Sequence, residues 1–346
     1  MQRFYWHTVL LVGIMMAGAR AHAQAFIDTP DGRAEVIGLT HWTTQMLADS
    51  LQLRAPGVSL FQTKECTRAM TERLHFSSVY IERMFFTGQS TERAAAVVVR
   101  LVEPSDSARI QWRRESRDSQ PIRAEWTDLQ RAMSDSSGRF VERFINSLGL
   151  YGSFLRDGAP ATIRMVRLAE RDSGEAIAFW AALSHRRASS DRQLAIRTLR
   201  EDGNRRNRMM AAAVLANFPA SDETWHALAE SLRDPYPGVH TAALMSISLL
   251  GRGFARPVDW APVAPSLRAS LDGTNLETFL PLVTVLARTS IAPALARELL
   301  GGGAALLVAH AEAADVRSHT AAIALLERLR GQTLPHTGWR AWIASL

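Results

Sequence analysis

The chain has 346 residues, 47% of them hydrophobic and 21% charged, with a formal net charge of +6. These proportions exclude a disordered chain, and the length allows two ordinary domains or one small domain and an elongated array. Lys64 is the only lysine, so the basicity follows an Ala- and Arg-rich composition and does not by itself call for a phosphate surface.

Residues 1–23 read as a secretory signal peptide. Arg3 supplies the positive start, Val9 to Ala19 is an apolar run of about 11 residues, and Ala21-His22-Ala23 gives a small-x-small cleavage pattern before Gln24. The run is short of the roughly 20 residues a bilayer span needs. The expectation is an exported protein, periplasmic or secreted, with no transmembrane segment after leader removal. Arg3 and Arg20 leave with the leader and no acid does, which lowers the net charge from +6 to +4.

Residues 31–115 change from helical to mixed patterning. Helices are expected over 42–53, ended by Ala55-Pro56-Gly57, and over 63–74. Cys66 lies on the second, and as the only cysteine it forms no intrachain disulfide. No activating base is near it in sequence, so it reads as a small core hydrophobe rather than a nucleophile. Val79 to Phe86 and Ala94 to Val102 are β-rich runs around Thr87-Gly88-Gln89-Ser90, the pattern of a hairpin. Beyond Pro104, Ala108, Ile110 and Trp112 alternate with Arg109, Gln111 and Arg113, which predicts a half-exposed third strand. The expected product is a small α+β domain with a roughly three-stranded antiparallel sheet. A helical linker over 116–170 follows, with helices over 126–133 and 140–148.

Residues 171–331 carry repeated helix pairs. Trp225, Leu228, Ala229 and Leu232 form one apolar stripe, and after Asp234-Pro235-Tyr236-Pro237-Gly238 comes a helix apolar nearly all round. Ser190 to Gln193 and Thr274 to Glu277 fit the capping-box pattern, and Gly251, Gly273, Gly301 and Gly331 stand where helices are expected to stop. Asp202, Asp234 and Asp272 follow Leu-rich helix ends about 32 and 38 residues apart, a period expected of an α-solenoid. Trp339 and Trp342, in residues 332–346, are placed to cover the open end of the last pair.

Leu232-Arg233-Asp234-Pro235 with Val239, Ala242-Ala243 and Leu250-Gly251 resembles a HEAT repeat of the short kind common in bacterial proteins. Ala313-Ala314-Asp315-Val316-Arg317 with Ala321-Ala322 is similar, and Asp202-Gly203 with Met210-Ala211-Ala212 is a fainter copy. Residues 257–273 depart from the pattern, with Trp260 and three prolines. The resemblance implies a mainly α protein, a HEAT-like α-solenoid after the small α+β domain, and a surface for a protein or peptide partner.

Motifs for catalysis or metal binding are missing from the sequence. There is no HExxH, no Cys/His cluster, no phosphate loop and no nucleophile elbow, and Gly149 to Ser153 lacks the spacing of one. No catalytic residue, cofactor or metal ligand is therefore assigned. Arg205-Arg206-Asn207-Arg208 is the densest basic spot, without the aromatic interleaving of a nucleic-acid site. Arg192, Arg208, His240 and Arg317 fall near helix starts and are expected to project outward as an interaction ridge, and Arg205 and Arg206 of the basic spot complete the candidate interaction surface. The competing expectation is an enzyme, lyase- or hydrolase-like, with its site in the α+β domain or at its junction with the helices.

Overall fold

The structure is a computed structural model and describes residues 25–29, 31–85, 95–114, 121, 123–132, 144, 148, 151, 173–301, 304–332 and 338–346. The expected leader, most of the linker over 116–170 and all of Gly149 to Ser153 except Tyr151 lie outside the described residues. What is described is mainly α-helical, preceded by a small α+β region.

Strands β1 (Ala25–Thr29) and β2 (Gly32–Ile37) form a tight hairpin, with Thr29 opposite Gly32 at φ +135°. Helices α1 (Thr44–Arg54) and α2 (Thr63–Glu72) follow, then β3 (Ser78–Phe85) and β4 (Ala95–Val102). The β3–β4 pair is the antiparallel hairpin expected from sequence, with Ser78 opposite Val102. The sheet differs from the expected three-stranded meander. It has four strands in the order β1-β2-β4-β3, and β2 runs parallel to β4. Both faces of β4 are buried: Val97, Val99 and Leu101 pack with α1 and α2, and Val98 and Val102 join the helical core. That double cover explains why β4 is apolar on both sides of Arg100.

The third strand expected at Ala108 to Arg113 does not form. Pro104–Arg109 is a 3-10 helix, and residues 110–114 run extended as a strap bonded to the helices instead of to the sheet. The Gln111 N–H donates to Thr274 Oγ1 at 3.0 Å and the Arg113 N–H to the Arg233 carbonyl at 2.8 Å. An alternating pattern records a half-buried extended chain; it does not say what lies beside it.

Short helix α3 (Thr127–Ala132) packs on α4 (Ser173–Ser184), after which the helices come in pairs. They are α5 (Ser189–Glu201) with α6 (Arg205–Leu215), α7 (Asp222–Ser231) with α8 (Pro237–Gly253), and α9 (Ala264–Leu271) with α10 (Leu276–Arg288). Next come α11 (Ala296–Leu300), then α12 (Ala305–Ala311) paired with α13 (Val316–Arg330), and last α14 (Trp339–Ala344). First members touch in succession as α5, α7, α9 and α11; second members as α6, α8, α10 and α13. The chain thus builds two rows, with Trp225, Leu228, Ala229 and Leu232 buried between them as their stripe predicts.

Helix ends depart locally from expectation. Neither predicted capping box forms. The α5 helix opens at Ser189, where the Asp191 carboxylate accepts from the Ala188 N–H at 3.0 Å, and the Thr274 hydroxyl is spent on Gln111 and the Ala269 carbonyl. Gly331 (φ +74°) ends α13 and Gly273 (φ +101°) follows α9, both left-handed as a helix stop needs. Gly251 does not end its helix, which runs on to Gly253. A Cβ there would meet Val285 Cγ2 at 3.0 Å, so this glycine serves the close approach of α8 to α10.

Candidate functional site

The turns between paired helices form a polar ridge, and the chain's own amino-terminal half covers it. Asp234 is fully buried. Its Oδ2 accepts from Arg208 Nε at 3.0 Å and from Arg113 Nη2 at 2.6 Å, and Oδ1 accepts from Arg208 Nη2 at 3.1 Å. One helix pair earlier in the chain, Asp202 accepts from Arg123 Nε and Asn207 Nδ2, and the Asn207 amide also donates to the Pro121 carbonyl. At the far end Arg100, on β4, is 1% exposed and lies 2.9 Å from Glu82 and 3.8 Å from Asp315. Glu35, on β2, accepts from the N–H groups of Ala314 and Asp315 at the start of α13. Buried charges are tolerable only when paired and hydrogen-bonded, and here Asp234 receives Arg113 of the strap, Asp202 receives Arg123, and Asp315 lies beside Arg100 of the sheet.

This changes the expected arginine ridge. Arg208 and His240 do not project outward: both are buried. Arg208 also donates to the carbonyls of Asp202 and Gly203, and His240 stacks on Trp112 at 6.0 Å with Nδ1 3.0 Å from the Asp234 carbonyl oxygen. Arg192 is half-buried on α5, a first-row helix, and so belongs to the opposite row. Arg205 and Arg206 are exposed at the start of α6, and Arg205 lies over the Tyr236 ring at 4.6 Å. Arg317 is 54% exposed and pairs with Glu82 at 3.1 Å and Asp315 at 3.7 Å. The six residues are not one surface. Local pattern puts polar residues at helix starts, and only the tertiary ladder decides which of them are buried.

A second polar cluster was not signalled by any motif. Glu103 is buried and accepts from the N–H groups of Thr40, His41 and Trp42 at 2.7 to 3.0 Å. Burial pushes its carboxyl upward, but the three backbone donors outweigh that and hold it below the ordinary glutamate value. His41 Nδ1 lies 3.1 Å from Glu103 Oε2 and 3.2 Å from Ser105 Oγ. A serine–histidine–acid relay needs the serine and the acid on different ring nitrogens; here both meet the same one. The arrangement is a loop anchor. Cys66 is buried in the sheet core, and desolvation pushes its thiol up to about 12, which removes thiolate character. Among the described residues no group of three or more His, Cys, Asp or Glu is placed to hold a metal ion.

The open feature is a groove between the second-row helices α10 and α13, enclosing about 1250 Å³. Thr284 and Ala287 on α10 face Thr320, Ala321 and Ala324 on α13, so its floor is made of small side chains. On α13, Arg317, Thr320, Ala321, Ala324 and Arg328 recur at helical spacing along one face. Arg288 and Arg328 stand exposed toward the helix C-terminal ends, and Val316, 73% exposed, marks the other end. A smaller cleft of about 310 Å³ shares Thr284 and Arg317 with the groove and adds Tyr80 and Glu82 of β3 and Glu277 of α10. Burial, followed by the charge of Glu82, raises the Tyr80 hydroxyl above its ordinary range, so it is a neutral donor there. Pro281 inside α10 leaves the Glu277 carbonyl without its usual helical N–H partner.

No family model matches the chain, and neither a curated protein nor a solved structure is significantly similar to it. The groove therefore has to be read from its own chemistry. Among the described residues no single helix is long and apolar enough to cross a membrane.

Proposed function

We propose that the protein is an exported, non-catalytic binding or scaffold protein, whose paired helices form a HEAT-like α-solenoid that recognises a polypeptide partner. The observation that carries this reading is the α10–α13 groove: long, open and floored by Ala287, Ala321 and Ala324. Small residues on parallel ridges let an incoming backbone approach closely, and a wide opening suits a chain better than a small metabolite. The polar groups at the junction of sheet and helices support it too, because Arg100, Glu82, Asp315 and Arg317 are engaged with one another. The two-row order of α5 to α13 supports the repeat reading, since each second-row helix packs on its neighbours in the row.

The test is to fill the groove. Ala324 is half-buried on its floor, so Ala324→Trp is expected to block it without entering the core. Leu53→Trp, at a position 80% exposed on α1, serves as the control. Capture from the envelope extract of the source cell is expected to retrieve a polypeptide with the wild type and the control, and to lose it with Ala324→Trp. Retention of the same partner by a folded Ala324→Trp protein would overturn the groove.

A further inference from the structure

We infer that the segment held in the α10–α13 groove is acidic at one end and small and apolar at the other; this rests on the groove reading above. Three arginines and one glutamate line the groove, Arg288, Arg317, Arg328 and Glu327, a local balance of two positive charges. Arg317 is held by Glu82, so the cations facing the opening are Arg288 and Arg328, both exposed and neither paired with a carboxylate among the described residues. They sit on adjacent helices at the same end of the groove, because α10 ends at Arg288 and α13 at Arg330. A ligand carboxylate placed there meets both guanidinium groups, whose planar forks match it. The other end offers no such cation. Val316 is exposed there, and the stretch between is alanine and threonine.

Length follows from helix geometry. Arg328 lies 12 residue steps beyond Val316 on α13, about 18 Å at roughly 1.5 Å per residue. An extended peptide rises roughly 3.3 Å per residue, so about five or six residues fill the groove. Helix C-termini favour arginine in any case through the macrodipole, so the charges at this end require a binding test.

The probes, titrated with the full-length protein, are fluorescein-labelled heptapeptides: Ala-Val-Ala-Ala followed by three Glu, and the same peptide ending in three Gln or three Lys. The Glu peptide is expected to bind, at least tenfold more tightly than the Gln peptide, and to weaken as salt rises. Arg288→Gln with Arg328→Gln is expected to abolish that preference while the melting temperature is kept, and Ala324→Trp to abolish binding of every peptide. Equal binding of Glu and Gln peptides, or a Glu preference that survives the double substitution, overturns the inference. The two readings fail separately. If Ala324→Trp still blocks capture of the native partner while no Glu peptide binds, the groove stands and its acidic ligand falls. If Ala324→Trp retains the partner, the groove itself falls.

Discussion

At the scale of single residues, this protein places charge where hydrophobic burial would ordinarily be expected. Arg208 and Asp234 are both buried, and the pair is sustained because Nε, Nη1 and Nη2 of Arg208 all donate, to the Asp234 carboxylate and to the carbonyls of Asp202 and Gly203. His310 is the opposite case. It is fully buried on α12 and stacked on Phe279 at 4.6 Å, and neither ring nitrogen has a hydrogen-bond partner among the described residues. Burial, and then the charge of Arg100, hold its pKa well below the ordinary 6.5. The folded state thus keeps the imidazole neutral while the unfolded chain takes up a proton below about pH 6.5, so stability falls as pH drops through that value. His310→Phe keeps the stack and removes the titration. Urea unfolding at pH 7.5 and pH 5.5 is expected to show a smaller loss of stability in His310→Phe than in the wild type. An identical loss in both would show that His310 does not titrate on unfolding.

At the scale of elements, the end of the helical rows is closed by α14. Trp339 is fully buried in the main core with Leu325, Leu326 and Leu329, and Trp342 lies edge-on to it at 5.8 Å, partly exposed. Arg340, between them, pairs with Glu312 at the end of α12. The two tryptophans are therefore unequal. Trp339→Ala leaves a core cavity and is expected to cost about 3–5 kcal/mol, on the scale of large aromatic truncations. Trp342→Ala is expected to cost clearly less, since part of its surface already meets water. Denaturant midpoints of the two variants check this, and equal losses would mean that α14 does not close the rows through Trp339. The spacing of these tryptophans was legible in the sequence; which one enters the core was not, because both lie at apolar helical positions.

At the scale of the whole molecule, the sheet and the helices act as one polar junction. The strap over 110–114 lies across the turns of the rows, and Glu35 and Arg100 bring β2 and β4 to the start of α13. A turn ridge that local sequence presents as a binding surface is thus occupied from within, and the recognition we propose falls to the groove beside it. Export also concerns the whole chain. We propose that the mature protein begins at Gln24, after the cleavage pattern Ala21-His22-Ala23. Intact mass of protein recovered from its own cells is expected to lack residues 1–23. Recovery of the full-length chain in a membrane fraction would overturn export.

The sequence by itself determined most of the described α-helices, that β3 and β4 pair, and that Cys66 is core. These follow from periodicity and turn chemistry, which act over a few residues. It did not determine the parallel β2–β4 pairing or the strap, because the partners of Gln111 and Arg113 lie more than 85 residues away along the chain. Nor did it determine the burial of Arg208 and His240, or the groove. An arginine at a helix start reads as solvated until a distant aspartate is brought against it, and a stripe of alanines reads as packing until its neighbouring helix is found to leave it open. Both outcomes depend on what stands opposite, and only the tertiary structure supplies that.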